Sequence, residues 1–259
     1  KIEFVNEVSG RDPRLAQTIR TTKGLNFSNC ITGYQPHKYI VEANLGSSAA
    51  SYNDLPLFRM AEVYLNYAEA KAELGEITQG DLDVSVNKIR ARAKMPNLNL
   101  KAANDSPDPY LSSAETGYAN VTGANKGVIL EIRRERNIEL VLESQNRWWD
   151  LMRWKEGACI GQKMEGLYIP ADKIGKAYDV NGDGNADICV YSGTQPSVKE
   201  NVTWFNLDTD YKLSEKGSGK IVFFSDIVRK WNEERDYFYP IPKEDIILTG
   251  GKIEQNKGW

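Results

Sequence analysis

The sequence predicts a mainly α protein whose C-terminal part is irregular and loop-rich, with short strands. Three observations lead to this. Apolar residues recur every three or four positions between residues 56 and 94, which is the period of helices packed on one side. A mixed run of charged and apolar residues continues the helical pattern over residues 126–156. From residue 157 to residue 259, Gly, Pro, Asn and Asp separate short aromatic runs, as they do in loops between strands.

The helical pattern begins only after residues 1–53, which we expect to be irregular or β-like. The apolar stripe of the first helix consists of Leu57, Met60, Ala61, Tyr64, Ala68 and Ala72. Gly75 is a natural helix stop, and Pro96 ends the second helix. Because alanines allow two helices to approach closely, segments 56–74 and 81–94 predict a tetratricopeptide-like helical hairpin. A hairpin of this kind cannot bury its own apolar face, so it requires neighbouring helices.

A long helix at 126–156 is one candidate neighbour, and it follows a predicted loop at 97–125. Its many Arg and Glu residues allow two interpretations. They form either a solvated charged face or a partly buried Arg/Glu network, the latter because Ile129, Ile132 and Leu140 are interleaved with the charges. After residue 157 we expect at most one further helical turn, near 225–232.

Composition excludes several classes of function. The 259 residues carry 33 Lys and Arg against 36 Asp and Glu, a net charge of −3, which argues against a nucleic-acid partner. The single histidine, His37, leaves almost no material for a His-rich zinc site or a Ser-His-Asp triad. Cys30, Cys159 and Cys189 are odd in number and widely spaced, so they define no disulfide framework.

The segment 179–187 has the spacing of metal ligands. Its oxygen-bearing side chains recur at every second residue, namely Asp179, Asn181, Asp183, Asn185 and Asp187. Gly184 lies at the sixth position, where a calcium loop turns sharply, and hard oxygens suit calcium better than magnesium. The twelfth position is Val190 rather than Glu, and 188–191 has the pattern of a strand. The sequence therefore predicts a short structural calcium loop leading into a strand, with an Asn/Asp/Gly turn that binds no metal as the alternative.

Aromatic residues in predicted loops are the best indication of a ligand. The sequence has 13 Tyr, 7 Phe and 6 Trp, many of them beside Asn, Asp, Gln and Lys. Flat rings with hydrogen-bonding neighbours suit the apolar faces and hydroxyls of sugars. The candidate glycan contacts are Tyr34, Tyr39, Tyr52, Trp204 and Trp231. The alternative is that these rings cover the core beneath long loops.

Three segments, taken together, resemble the SusD/RagB family of outer-membrane nutrient-binding lipoproteins of Bacteroidetes. The first is the helix pair that contains 58–70 and 86–92. The second runs from Ile132 to Leu140 and continues to Trp154, and the third is the ending from Tyr239 to Trp259. A weaker match lies at 12–15. The order and spacing of the segments also agree with the family, so the resemblance extends over nearly all of the chain.

The resemblance implies a protein without catalytic activity that captures glycan, or less often peptide, at the cell surface. It implies delivery of the ligand to a SusC-like TonB-dependent transporter, over which such proteins sit as a lid. Members are about twice this length, so residues 1–259 are expected to be the C-terminal portion of a single domain. The N-terminal half, with the signal and the lipid anchor in the outer membrane, would lie outside this chain. The Arg/Glu run matches family positions that look structural.

Two other functions are compatible with parts of the sequence. A pair of carboxylates could serve a glycoside hydrolase, although 36 acidic residues select no particular pair. A helical-repeat scaffold that binds only protein is the other, and the long aromatic loops make it less natural.

Overall fold

The structure, a computed structural model, describes residues 2–22, 25, 27, 30, 32–40, 52–143 and 146–259. Its helices are α1 (Phe4–Val8), α2 (Leu15–Thr18), α3 (Met60–Glu73), α4 (Gln79–Asp83), α5 (Val86–Arg92), α6 (Leu100–Asp105), α7 (Pro109–Ser112), α8 (Lys126–Glu139), α9 (Asn146–Arg153) and α10 (Lys243–Leu248). Its strands are β1 (Met164–Ile169), β2 (Ala177–Tyr178), β3 (Ile188–Tyr191), β4 (Thr203–Asn206), β5 (Lys212–Glu215) and β6 (Ser218–Phe223). The predicted mainly α fold with short C-terminal strands is confirmed.

The first helix of the predicted hairpin is α3, which begins at Met60 rather than at residue 56. Arg59 has extended backbone angles (φ −148°, ψ 156°), and its guanidinium binds Glu139 and Glu143, which holds this part of the chain against the end of α8. The helix stops where it was expected to. Gly75 has a φ of 77°, in the left-handed region that ends helices and that glycine adopts without strain.

The second helix of the hairpin is divided into α4 and α5. Thr78 caps α4 by accepting from the backbone N–H of Asp81, whose carboxylate accepts in return from the N–H of Thr78. At Ser85 the backbone leaves helical geometry (φ −128°, ψ −96°), and the Ser85 hydroxyl donates to the Asp81 carbonyl at 2.5 Å. Helix α5 ends at Arg92, before Pro96.

The apolar stripe predicted for the first helix is partly wrong. The buried face of α3 contains Leu65, Ala68 and Ala72. Leu57 and Met60, at the start of the predicted stripe, are 79% and 58% exposed. Helical spacing alone does not show where a helix begins, so the predicted stripe includes Leu57, which precedes α3, and Met60, its exposed first residue.

The predicted long helix at 126–156 is two helices. Helix α8 ends at Glu139, and Leu142 then has a φ of 61°, a conformation that no right-handed helix contains. Helix α9 is described from Asn146 to Arg153. The charges in this region support the buried-network interpretation, because four charged side chains of α8 are buried, namely Arg133, Glu135, Arg136 and Glu139. Burial of so many charges is tolerated only where each has partners.

Short helices also occur where loops were expected. Within 97–125, α6 is capped by the Asn99 side chain and α7 by the Asp108 carboxylate. Helices α1 and α2 lie in the described part of the irregular N-terminal segment, of which 41–51 lie outside the described residues. The turn expected near 225–232 is not helical, and α10 lies further along the chain instead.

The strands form two three-stranded sheets. One has the order β1-β6-β5 and is antiparallel throughout. The other has the order β2-β3-β4, with β2 antiparallel and β4 parallel to β3. One apolar core lies among the helices, and a second lies between the sheets and includes Phe4 and Phe27. The strand predicted at 188–191 is β3, so the predicted calcium loop connects β2 to β3.

Candidate functional site

The loop 179–187 forms a set of turns in which side chains bond the backbone of the same loop. The Asp179 carboxylate accepts from the backbone N–H of Gly182 and Gly184, each at 2.8 Å, and of Asp183 at 3.2 Å. Gly182 and Gly184 have φ values of 73° and 90°. Within the described ranges, the structure contains no group of three His, Cys, Asp or Glu side chains that converge as metal ligands would. The calcium site at Asp179, Asn181, Asp183, Asn185 and Asp187 therefore stays a prediction.

Asp187 differs from the rest of this loop, because it is partly buried at the start of β3. One of its carboxylate oxygens accepts from the backbone N–H of Val180 at 2.9 Å, and its carbonyl accepts from the N–H of Thr203. Burial raises the pKa of the Asp187 carboxyl, and the nearby charges of Asp179 and Asp183 add to the rise. A bound cation would oppose the charge repulsion among these carboxylates.

Trp204 lies in a cleft of about 490 Å³ beside this loop. It stands on β4, an edge strand, and its ring meets the edge of the Tyr191 ring at a centroid distance of 5.8 Å and an angle of 85°. Asp187, Asn201 and Thr203 supply polar groups to the same cleft. A rigidly placed indole with hydroxyl, amide and carboxylate groups around it has the composition of a site for a polyhydroxylated ligand.

Trp231 lines a different cleft, of about 500 Å³, and is packed more tightly. Its ring lies at centroid distances of 6.4 Å from Trp148 and 5.1 Å from Tyr237, and it occupies the space where a side chain at Gly157 would go. The polar groups around it bond one another. Asp236, for example, accepts from Arg235 Nε and from the backbone N–H of Asn232.

The three candidate tyrosines line neither of these clefts. Tyr34 covers the second core, because its ring packs on Phe4 and its hydroxyl donates to Glu7 at 2.6 Å. Burial and the Glu7 carboxylate raise the pKa of the Tyr34 hydroxyl. Tyr39 has a φ of 62° and lies beside Lys38, whereas Tyr52 is 78% exposed.

The structure thus does not gather the five aromatics into one site, and Trp204 and Trp231 each line a separate cleft. Asn201 and Thr203 are residues of the Trp204 cleft that reasoning from the sequence missed. The available signal was local, since both polar residues come just before Trp204 in the same strand region. The contribution of Asp187 could not be foreseen, because it depends on the parallel pairing of Ile188 with Thr203.

The chain is similar to known proteins in sequence and in structure. The sequence model of the SusD family matches residues 21–259. A SusD-like carbohydrate-binding protein of Bacteroides fragilis has a solved structure that is 23% identical, with 95% of this chain and 42% of that chain covered and a TM-score of 0.56. A second SusD-like protein of Bacteroides fragilis has a solved structure that is 24% identical, with 77% of this chain and 24% of that chain covered and a TM-score of 0.40.

The chain spans less than half of the length of these solved SusD-like structures. No curated protein matches it. Among the described residues, no helix combines the length and the apolar character needed to cross a membrane. The family match covers nearly the whole chain. It agrees with the fold similarity to the SusD-like carbohydrate-binding protein, which extends over 95% of this chain. The chain belongs to the SusD family.

Proposed function

We propose that this chain is the C-terminal portion of a cell-surface protein that binds glycan and has no catalytic activity. The Trp204 cleft carries the proposal, because it is an aromatic site with polar groups at its rim on a chain of the SusD family. The similarity to a SusD-like carbohydrate-binding protein supports it. Binding there needs only a preformed surface. The indole ring would stack on the apolar face of a sugar, and Asn201, Thr203 and Asp187 would bond its hydroxyls.

Substitution of Trp204 is the direct test of this site. We expect Trp204→Ala to weaken glycan binding by the full-length protein at least tenfold, because truncation of a central aromatic residue of a binding site costs about 2 kcal/mol or more. Isothermal titration calorimetry, after a glycan array has identified a ligand, measures the change. Trp149→Ala is the matched control, since Trp149 is exposed and lies outside the Trp204 cleft. Equal affinity of the two variants would place the binding surface elsewhere.

The proposal includes an N-terminal part of the same protein that packs on this chain. Large apolar side chains are exposed ahead of and along the outer face of α3, namely Leu55, Leu57, Phe58, Met60 and Val63. An exposed apolar patch of this kind marks an interaction surface. Protection of this stretch from hydrogen exchange in the full-length protein, compared with residues 1–259 alone, would support the contact. Equal exchange in the two would contradict it.

We also propose that the full-length protein is lipid-anchored at the outer-membrane surface and delivers glycan to a SusC-like TonB-dependent transporter. The family membership supports this assignment, as do the expectations drawn from the sequence. Affinity purification of the tagged protein from its native cells should recover the transporter. Recovery of the protein from the soluble fraction without any transporter would argue against both parts of the proposal.

Calcium is proposed as a structural ion of the 179–187 loop. The alternating oxygens and the charge repulsion at Asp187 support it. We expect a chelator to lower the melting temperature of the protein and added calcium to restore it. Asp183→Ala should abolish the response, and Asp172→Ala, which changes an exposed carboxylate outside the loop, should retain it. An unchanged melting temperature in the presence of chelator would contradict the proposal and indicate a turn that binds no metal.

A further inference from the structure

A cavity of about 220 Å³ lies at the C-terminal end of α8, away from the Trp204 cleft. We call it the arginine cavity. The charged residues that line it are Arg14, Lys38, Arg59, Arg92, Glu139 and Glu143. Part of this charge has a structural purpose. Lys38 Nζ and Arg59 Nη2 donate to the Glu139 carbonyl at 3.2 and 2.8 Å, which satisfies a helix end that would otherwise lack partners.

The cavity nevertheless holds more positive than negative charge. Glu139 alone receives hydrogen bonds from three arginines, Arg14, Arg59 and Arg92. When the groups joined by ion pairs are counted among the described residues, five cations face four carboxylates, the cations being Arg14, Lys38, Arg59, Arg90 and Arg92 and the carboxylates Asp12, Glu135, Glu139 and Glu143. The arginines remain charged at every physiological pH. One further negative charge would therefore equal the positive charge of these ion-paired groups.

Among the cations that line the cavity, Arg92 has guanidinium N–H groups that bond no described residue. Its Nη2 donates to both carboxylate oxygens of Glu139, at 2.6 and 2.7 Å, whereas its Nε and Nη1 donate to no residue in the described part of the chain. Its side chain is 58% exposed. By contrast, Lys38 Nζ already has three acceptors. The side-chain amide of Gln17, also at the cavity wall, has no partner among the described residues and supplies a further donor.

We propose that the arginine cavity binds the carboxylate group of an acidic sugar, held mainly by Arg92 and Gln17. Guanidinium N–H groups form charge-assisted hydrogen bonds with carboxylates, and the partly enclosed site strengthens the interaction relative to open water. The identification of a sugar as the carrier of the anion rests on the proposed function. The presence of an anion site rests on the arginine cavity alone and is independent of the proposed function.

Calorimetric titration of the full-length protein with three ligands tests this inference. The ligands are an oligouronate, the same oligosaccharide as its neutral methyl ester, and the free monomeric uronate. We expect the oligouronate to bind at least tenfold more tightly than its ester, and Arg92→Gln to remove that difference. Lys101→Gln removes the same charge from an exposed position and should leave it intact. Gln17→Ala should weaken binding in the same direction, with thermal unfolding of each variant used to confirm that it is folded.

The three ligands distinguish the failure of this inference from the failure of the proposed function. Equal affinity for the oligouronate and its ester, or an unchanged preference in folded Arg92→Gln, overturns the inference while glycan binding stands. Binding of the free uronate alone, lost in Arg92→Gln, supports the anion site and contradicts the glycan as its carrier. If none of the three ligands binds, the inference is overturned.

Discussion

Glu139→Gln should lower the free energy of unfolding by about 3 kcal/mol or more, the usual cost of removing one member of a buried charge network. Glu139 is buried at the last turn of α8. Its carboxylate accepts hydrogen bonds from Arg14 at 3.0 Å, from Arg59 at 2.6 Å and from Arg92 at 2.6 and 2.7 Å. The glutamine would be a neutral partner for three cations. Denaturant unfolding of the full-length protein, monitored by tryptophan fluorescence, measures the change.

Glu139→Gln changes the free energy of unfolding through two effects of opposite sign, the helix dipole and the bonds with the arginines. A negative charge at a helix C-terminus is unfavourable because of the helix dipole, so neutralising Glu139 would stabilise an isolated α8. The expected loss therefore reports only on the arginines. Glu76→Gln is the control, because Glu76 is exposed and pairs with Lys71 at 3.4 Å, and it should change stability by less than about 0.5 kcal/mol. A stabilised Glu139→Gln protein would show that the network does not hold α8 in place.

Gly127→Ala should be destabilising by about 1–3 kcal/mol, although the same change favours most helices. Gly127 lies in the first turn of α8, where α6 crosses it. A Cβ atom there would be 1.8 Å from the Ala103 carbonyl oxygen and 2.9 Å from the Asn104 Cα. Both are backbone atoms, so the two helices would have to separate. That would also stretch the bond from the Val128 N–H to the Asn104 side chain, now 2.9 Å.

Gly80→Ala is the matched control for this clash. Gly80 lies in α4, is exposed, and a Cβ there would meet only the Thr78 hydroxyl at 3.6 Å, an ordinary contact. We expect this variant to be stabilised by up to about 1 kcal/mol, the propensity difference between Gly and Ala. Urea denaturation of both variants gives the comparison. Equal effects in the same direction would contradict the close crossing of α6 and α8.

Much of the helical part could be predicted because its signals are local. Gly75 ends α3, and the alternating oxygens before 188–191 mark the loop that leads into β3. The Arg/Glu network could be raised only as one of two interpretations. Which charges are buried depends on contacts such as Arg14 with Glu135, 121 residues apart, and no local pattern records such a pairing.

The breaks in the predicted helices had no comparable signal. Leu142 adopts a left-handed conformation that its residue type disfavours, while the bonds of Lys38 to Val141 and Glu143 hold the chain on either side of it. For the candidate glycan site, the sequence predicted aromatic residues but not which of them line a cleft. Tyr34 and Trp204 have similar polar neighbours in the sequence. They differ only in the fold, where Tyr34 bonds Glu7 over the second core and Trp204 lines a cleft.

The protein is expected to bind glycan and to leave it intact. Incubation of the full-length protein with the oligosaccharide selected on a glycan array tests it, with affinity measured by calorimetry and chain length by chromatography of the recovered sugar. We predict saturable binding that Trp204→Ala weakens at least tenfold, together with recovery of the oligosaccharide at its original length. Shortened products that disappear when one carboxylate is substituted would contradict the claim and identify a glycoside hydrolase.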